Sequence, residues 1–362
     1  MEIFCKHLDR QKFDVFAVAK KHNPTFLQKF RVYFGLLYGH PVARAKYRLW
    51  KQMHARIPNF EAILGKDHVI IAQSDLNLHD ILIELAPDIL HIHYSGTPEA
   101  PIIFDNVMKK IPIVITTNQF EIENTSPFHV FVKKMFFVSK WMLENQAHWA
   151  KQDPRAEVFY NPCELPVTTK NLRAELAIPD NAFVIGRVGR ADAGIHDPIS
   201  LKAYQQIQNN KTWFLALSPP TNMVEQAKAL GLTNFVALPF TSSDEELSKF
   251  YNTIDVLAHA RRDGETFGCN LAEAMIHGKP CVSHLTAYMN AQTETIGAGG
   301  FVVEMNDHTA YAQHLKRLRD DHSFYREIAT KAKTRALEHF EGAALTKRLE
   351  SIYHSLRVTE RR

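Results

Sequence analysis

The segment Asp263-Gly-Glu-Thr-Phe-Gly-Cys-Asn-Leu-Ala-Glu-Ala-Met275 follows an apolar run at residues 255–259 that has the length and composition of a buried strand. It therefore sits at a strand's carboxyl end and opens a helix, predicted over residues 270–276 and stopped by His277-Gly278-Lys279-Pro280. In open α/β sheets that crevice is where ligands bind. Glu265 falls in the loop and Glu273 early in the helix, an interval that lets two carboxylates address opposite ends of one ligand. Between them, Phe267-Gly268-Cys269 places free backbone N–H groups at a helix N-terminus, suited to phosphate oxygens. Carboxylates flanking a phosphate cradle make sense if they grip hydroxyls, ribose at one end and a sugar at the other. On spacing alone such a pair is more often solvated surface charge. The Phe-Gly and His-Gly-Lys-Pro context is what favours a site.

The same alternation extends along the chain. Strands are predicted at residues 14–19, 68–72, 89–93, 113–117 and 134–139, then at 183–188, 213–218, 235–239, 255–259, 280–283 and 300–304. Helical patterns lie between them, among them 244–252, opened by Ser242 and Ser243, and two in succession over 323–356. Strand–helix–strand repetition implies an α/β fold of parallel sheets covered by helices on both faces. Pro162, Pro166 and Pro179 mark a boundary within 161–180. The expected organisation is two facing Rossmann-like domains, 1–165 and 166–340, with a final helix, 341–362, returning to the first.

With 362 residues, 45% hydrophobic and 23% charged, the composition excludes disordered, collagen-like and disulfide-scaffold classes. Cys5, Cys163, Cys269 and Cys281 form no Cys-x-x-Cys pair, which excludes the common zinc-ribbon spacings and suggests a reducing, cytoplasmic compartment. No apolar run is long enough to span a membrane, and charges interrupt the first residues before a signal-peptide core forms. Residues 1–60 carry twelve Lys or Arg against three acids, a local balance of +9 that leaves the other 302 residues at −5 within the net +4. Residues 29–56 interleave Lys29, Arg31, Arg44, Lys46, Arg48, Lys51 and Arg56 with aromatic side chains. This stretch suits an anionic lipid surface or acceptor, placing the protein peripherally at the inner membrane face; the plainer reading is a helical pair with a solvated basic face. No RNA- or DNA-binding motif accompanies the charge, so nucleic acid is not expected as a partner.

Glu265-x7-Glu273 within Gly-Glu-Thr-Phe-Gly…Ala-Glu-Ala-Met, followed by His277-Gly278-Lys279-Pro280, resembles the signature of retaining GT-B glycosyltransferases of the GT4 type. Further matches fall in the same order: Pro87-Asp88-Ile-Leu-His91-Ile-His93, Phe137-Val-Ser139-Lys-Trp, Val158-Phe-Tyr-Asn161-Pro, Val188-Gly189-Arg190, Glu294, and the closing segment with His339-Phe340 and Ile352-Tyr353. The resemblance runs from residue 1 to about 356 and implies the GT-B fold with a nucleotide-sugar site between the domains. It implies that Glu273 binds donor ribose hydroxyls and that Glu265 binds hydroxyls of the transferred sugar. Phe267, Gly268 and Cys269 would supply backbone contacts. Arg190, beside Gly189, would neutralise the leaving diphosphate, and His93 would touch the sugar from the first domain. Because side chains alternate along a strand, His91 and His93 are expected to point to opposite faces, with His91 a core residue. Asn118 ends a strand where the family often has His and is a further cleft candidate. The family generally needs no bound metal, and no Asp-x-Asp motif occurs here, so no cofactor is expected.

Two departures stand out. The family places Lys five residues after the Gly-Arg arginine; that position is Ile195, and His196 beside it is a poor substitute near neutral pH. Family members also begin with a strand and a Gly-Gly loop, whereas this chain opens on a predicted helix at 2–8, so either the true start lies upstream of Met1, which is the favoured expectation, or the strand was lost. The function implied is sugar transfer from a nucleotide-diphosphate-sugar to a glycan or lipid-linked acceptor, as in polysaccharide biosynthesis. The alternatives are a non-catalytic GT-B scaffold that binds a nucleotide, glycan or partner enzyme, and the same fold running another sugar-nucleotide reaction.

Overall fold

The computed structural model describes residues 1–21, 26–39, 43, 47, 55–94, 105–120 and 127–360. It divides into two compact units. The first comprises residues 1–117, 122–135 and 346–362; the second comprises 118–121 and 136–345.

In the first unit, β1 (Ala17–Lys20) and β2 (Val69–Ala72) form a two-stranded parallel sheet. A separate four-stranded sheet has the order β3-β4-β5-β6, with β3 Ile89–Tyr94, β4 Ile113–Asn118, β5 Val132–Phe137 and β6 Ala156–Val158, the last of which is grouped with the second unit. The opening helix, Glu2–His7, buries Phe4 and Cys5, and its Glu2 carboxylate takes two hydrogen bonds from Arg56 at 2.8 Å and one from Asn59 at 3.2 Å. Residues 346–360, in the final helix Gly342–Glu360, lie in this unit: Glu350 accepts from the Asp9 N–H at 2.7 Å, and the Tyr353 hydroxyl bonds the His91 ring. Of the basic stretch, Arg44, Lys46, Arg48 and Lys51 lie outside the described residues.

The second unit carries a six-stranded parallel sheet in the order β14-β12-β10-β7-β8-β9. Its strands are β7 (Phe183–Val188), β8 (Thr212–Leu217), β9 (Phe235–Leu238), β10 (Val256–Ala258), β12 (Cys281–His284) and β14 (Gly300–Val303). Two short strands outside it, β11 (Gly264–Glu265) and β13 (Met289–Asn290), pair in parallel. Chain order runs outward from β7 through β8 to β9, then returns to β10 on β7's other side. The β7–β10 junction is thus the switch point of a doubly wound sheet, where the connecting loops diverge and leave a crevice at the carboxyl ends. Ile185, Phe214, Val256 and Val282 bury the sheet against helical residues such as Tyr204, Tyr311 and Leu315. The surrounding helices start where small polar caps dictate. Ser243 accepts from the Glu246 N–H to begin Asp244–Thr253, whose first turn holds three acids; Asp307 and Asp321 cap His308–Asp320 and His322–His339 in the same way.

Residues 136–165, read from sequence as part of the first domain, group with the second unit. Polar bonds explain this: Ser139 donates to the Thr266 carbonyl at 2.7 Å, and the Glu294 carboxylate takes the N–H groups of Lys140 and Trp141 at 3.0 and 2.6 Å and the Tyr160 hydroxyl at 2.7 Å. Glu294 is thereby an anion at the N-terminus of the helix Lys140–Asn145. The second unit extends to Leu345, so the grouping with the first unit resumes at Thr346 rather than at residue 341. No helix among the described residues is long and apolar enough to cross a membrane.

Candidate active site

The carboxyl ends of β7, β10 and β12 gather most of the sequence-predicted residues of the second unit. Two loops lie side by side there. The 189–196 loop after β7 meets the 259–265 loop after β10 through a bridge between His196 and Arg261 and a hydrogen bond from the Arg262 N–H to the Ile195 carbonyl at 3.0 Å. The buried Tyr311 hydroxyl spans the bases of β10 and β12, bonding the carbonyls of His259 at 3.0 Å and Val282 at 2.6 Å.

Glu265 sits on β11, held in register opposite Asn290 of β13. Its Oε1 lies 3.0 Å from His259 Nε2 and 3.4 Å from Arg261 Nη1, and Arg261 is itself gripped by Asp263 at 2.9 and 2.6 Å. His259 in turn bonds Ser283 through Nδ1 at 2.9 Å. The Glu265 carboxylate is thus aimed by His259 and the Arg261 cation of its own loop, with Ser283 of β12 behind the histidine.

Glu273 lies on the helix Cys269–Ile276, and its Oε2 accepts from the Tyr251 hydroxyl at 2.8 Å. Tyr251 is fully buried; burial, then the neighbouring carboxylate, raises its pKa well above that of a free phenol, so it stays a donor. His277 closes the helix: Nδ1 donates to the Glu273 carbonyl at 2.8 Å, and the ring stacks on Tyr251 with centroids 5.2 Å apart.

The helix N-terminus requires Gly268, whose φ of +93° lies in the left-handed region and whose Cβ would stand 2.7 Å from Leu271 Cδ1. No side chain caps this end, and the N–H groups of Cys269 and Asn270 find no backbone acceptor among the described residues. Such an end, with its partial positive charge, suits an anionic oxygen. Asn270 anchors the helix to β7 by donating to the Val188 carbonyl at 3.1 Å. Cys269 is exposed, and the buried Cys163 thiol lies 3.8 Å from the Cys269 carbonyl. Phe267 serves the fold: it is 1% exposed, meets Phe340 edge-on at 5.2 Å, and lends its carbonyl to Thr295 Oγ1 at 2.6 Å.

Arg190 follows Gly189 in the loop after β7. It is exposed and forms no ion pair among the described residues, the state of a cation available to solvent or ligand. His196 is 4% exposed; its Nε2 bonds Gln226 Oε1 at 2.9 Å, and burial lowers its pKa, so near neutral pH it is an uncharged ring and not a stand-in for lysine. Asn118 is buried and uses its amide to bond the Phe136 carbonyl at 3.1 Å, an internal tie.

In the first unit, His91 and His93 correct the sequence expectation. Residues two apart on a strand share a face, and their rings stack with centroids 4.2 Å apart. His91 is bonded on both nitrogens, to Tyr353 at 2.6 Å and Thr117 at 2.7 Å, and burial pulls its pKa down to about 3. Burial also holds His93 well below the ordinary histidine range, so both rings are neutral at pH 7.

Sequence reasoning missed Arg187, His259, Arg261 and His284 at this edge. The signal was present for Arg187: a charged residue inside the otherwise apolar run Phe183–Val188.

Residues 168–335 match the family model described as Glycosyl transferases group 1. Among curated proteins, the chain is 28% identical over 180 residues to the capsular polysaccharide biosynthesis glycosyltransferase CapM of Staphylococcus aureus, covering 48% of this chain and 46% of that protein. It is 24% identical over 163 residues to the D-inositol 3-phosphate glycosyltransferase of Salinispora tropica, covering 41% of this chain and 33% of the other. The chain thus spans less than half the length of these relatives. Among solved structures, Anabaena HepE in complex with UDP superposes with a TM-score of 0.67 at 16% identity, covering 94% of this chain and all of that one. A glycosyltransferase from Rickettsia africae gives 0.67 at 15% identity, covering 95% and 99%. The chain therefore has the α/β GT-B fold, and the segment that matches the group 1 model, residues 168–335, coincides with most of its second unit.

Proposed function

We propose that this protein is a glycosyltransferase that moves a sugar, with retention and without a bound metal, from a nucleotide-diphosphate-sugar to a glycan or lipid-linked acceptor. The observation that carries the reading is the grouping of Glu265, Glu273, Arg190 and an uncapped helix N-terminus on the switch-point loops of the segment that matches the group 1 model. Each part suits one portion of such a donor. Glu273, fixed by Tyr251, accepts the two ribose hydroxyls; Glu265, fixed by His259 and Arg261, accepts sugar hydroxyls. Arg190 and the Gly268–Cys269 end of the helix stabilise charge that grows on the diphosphate as the glycosidic bond breaks. UDP in the Anabaena HepE complexes and UDP with GlcNAc in the pneumococcal transferase GtfA support uridine as the base. The capsular relative supports polysaccharide assembly as the setting.

The test is thermal stabilisation by UDP, GDP, ADP and their sugar conjugates. A ligand at one hundred times its dissociation constant adds about 2.7 kcal/mol. A shift with one base, lost in Glu273→Ala, supports the reading; transfer to acceptor with the donor's anomeric configuration kept, scored by NMR and unaffected by EDTA, completes it. A folded sample that responds to none refutes it.

The helix Phe26–Leu37 favours a second element, a peripheral contact with anionic lipid. Phe26 and Leu37 are 85% and 83% exposed, and Phe30, Tyr33 and Phe34 are also exposed, in company with Lys29 and Arg31. Co-sedimentation with phosphatidylglycerol vesicles, lost in Phe26→Ser/Leu37→Ser, is the expected result; equal sedimentation of the two proteins would dismiss it.

A further inference from the structure

Arg187 is buried one residue before β7 ends, yet its guanidinium forms no hydrogen bond or ion pair with any described residue, and Nη1 is a buried donor without an acceptor. The side chain is 2% exposed. Burial, then the nearby positive charge of Arg261, pulls its pKa down to about 10, which leaves it a cation at pH 7. Two half-buried guanidinia of this unit are paired with carboxylates: Arg261 with Asp263, and Arg173 with Asp255 at 3.0 Å. Arg187 alone among these three is held without a counterion, a state that a fold tolerates poorly.

Its position says what neutralises it. A Cβ on Gly189 would stand 3.3–3.5 Å from Nη2, Cζ and Nη1, so the guanidinium packs against the Gly189 backbone where β7 gives way to its loop at the switch point. The adjoining His196 bonds Gln226 through a protonated Nε2, which leaves its Nδ1 lone pair without a donor. The side chain at 195 is the apolar Ile195, which brings no charge to this loop.

We propose that Arg187 is the second cation of the leaving-group site, binding the donor's diphosphate from beneath Gly189 while Arg190 binds it from solvent. This inference rests on the nucleotide-sugar reading above. It requires that Arg187 have no structural duty, so that replacing it with an apolar isostere of similar length leaves the ligand-free fold at least as stable.

The experiment compares wild type with Arg187→Met by calorimetric titration of UDP, GDP and ADP, their nucleosides, and inorganic pyrophosphate, with a melting curve of each free protein. The diphosphate that wild type binds should lose ~10–100-fold in affinity on losing one charge-assisted contact. Its nucleoside should change less than about threefold, and the free variant should melt no lower than wild type. A variant that fails to fold or melts lower, an unchanged diphosphate affinity, or an equal loss for nucleoside and diphosphate would each overturn the assignment. If wild type binds no nucleoside diphosphate, the donor reading fails by itself and pyrophosphate decides the rest. Binding that disappears in Arg187→Met keeps the anion receptor, and no binding removes it.

Discussion

Replacing Glu294 by Ala should unlock the start of the helix Lys140–Asn145. The carboxylate takes three hydrogen bonds: Lys140 N–H at 3.0 Å, Trp141 N–H at 2.6 Å and Tyr160 hydroxyl at 2.7 Å. Lys140 is exposed and its N–H regains water, so its bond contributes little net. The Trp141 and Tyr160 donors are partly buried, and hydrogen bonds to a charged acceptor at such positions contribute ~1.5–3 kcal/mol each before relaxation. Allowing water to recover part of this, and adding a few tenths for an anion at a helix N-terminus, the loss is about 2–4 kcal/mol. For a unit of this size that corresponds to a melting decrease of ~5–12 °C. Tyr160→Phe, which removes one bond and keeps the ring against Phe340 at 5.3 Å, should cost about 1 kcal/mol. Differential scanning calorimetry of the three proteins measures both. Ser139, which caps this helix and donates to the Thr266 carbonyl, links it to the Glu265 loop, so nucleotide affinity should fall only severalfold. A melting point within 2 °C of wild type would refute the clamp. If nucleotide binding vanished at unchanged stability, Glu294 would belong to the ligand and not to the helix.

Tyr251→Phe removes the hydroxyl that fixes Glu273 Oε2 and should weaken nucleoside affinity about three- to tenfold at a stability cost of about 1 kcal/mol; affinity unchanged in calorimetric titration would show that Glu273 needs no such support. Gly268→Ala forces a left-handed φ on a residue with a Cβ and presses on Leu271, so melting should fall by ~2–6 °C and nucleoside diphosphate affinity with it; a variant with wild-type melting would contradict the strained turn. Acid should destabilise the first unit through His91. Its folded pKa of about 3 lies below the ordinary 6.5, so below pH 6.5 the unfolded chain takes a proton that the folded one refuses, and stability falls toward pH 3. The slope approaches ~1.4 kcal/mol per pH unit for this one group. Urea unfolding between pH 6.5 and 4.5 should show a shallower pH dependence in His91→Gln, and equal slopes would remove His91 from the account.

The second unit was legible because its strands obey one rule: short apolar runs closed by a turn signal. The predicted strand at 183–188 coincides with β7, and those at 213–218 and 300–304 miss the observed bounds by a single residue at one or both ends. β6, with only Ala156–Val158, is too short to announce itself, and β11 and β13 exist only because two loops meet. The first unit was harder to read. Its β1 begins at Ala17 and not at residue 14, and it pairs with β2 in a sheet of two, a pairing that depends on partners some fifty residues away.

At the site, the motif's own carboxylates could be read, but the groups that aim them could not. Tyr251 reaches Glu273 from 22 positions away, and Ser283 reaches His259 from 24, so no local periodicity encodes either contact. His91 and His93 show the opposite failure: their spacing of two already placed both rings on one face, before any tertiary information was needed. Arg187 stands between these cases. Charge inside an apolar strand is visible in the sequence, and a buried cation normally implies a nearby acid. Only the folded structure shows that no described residue supplies one, and that the glycine beside it leaves the guanidinium room under the loop. The same glycine lies between the exposed Arg190 and the buried Arg187, and its missing Cβ leaves the gap that the Arg187 guanidinium fills. A side chain at 189 should injure both at once, which neither arginine's sequence neighbourhood predicts by itself.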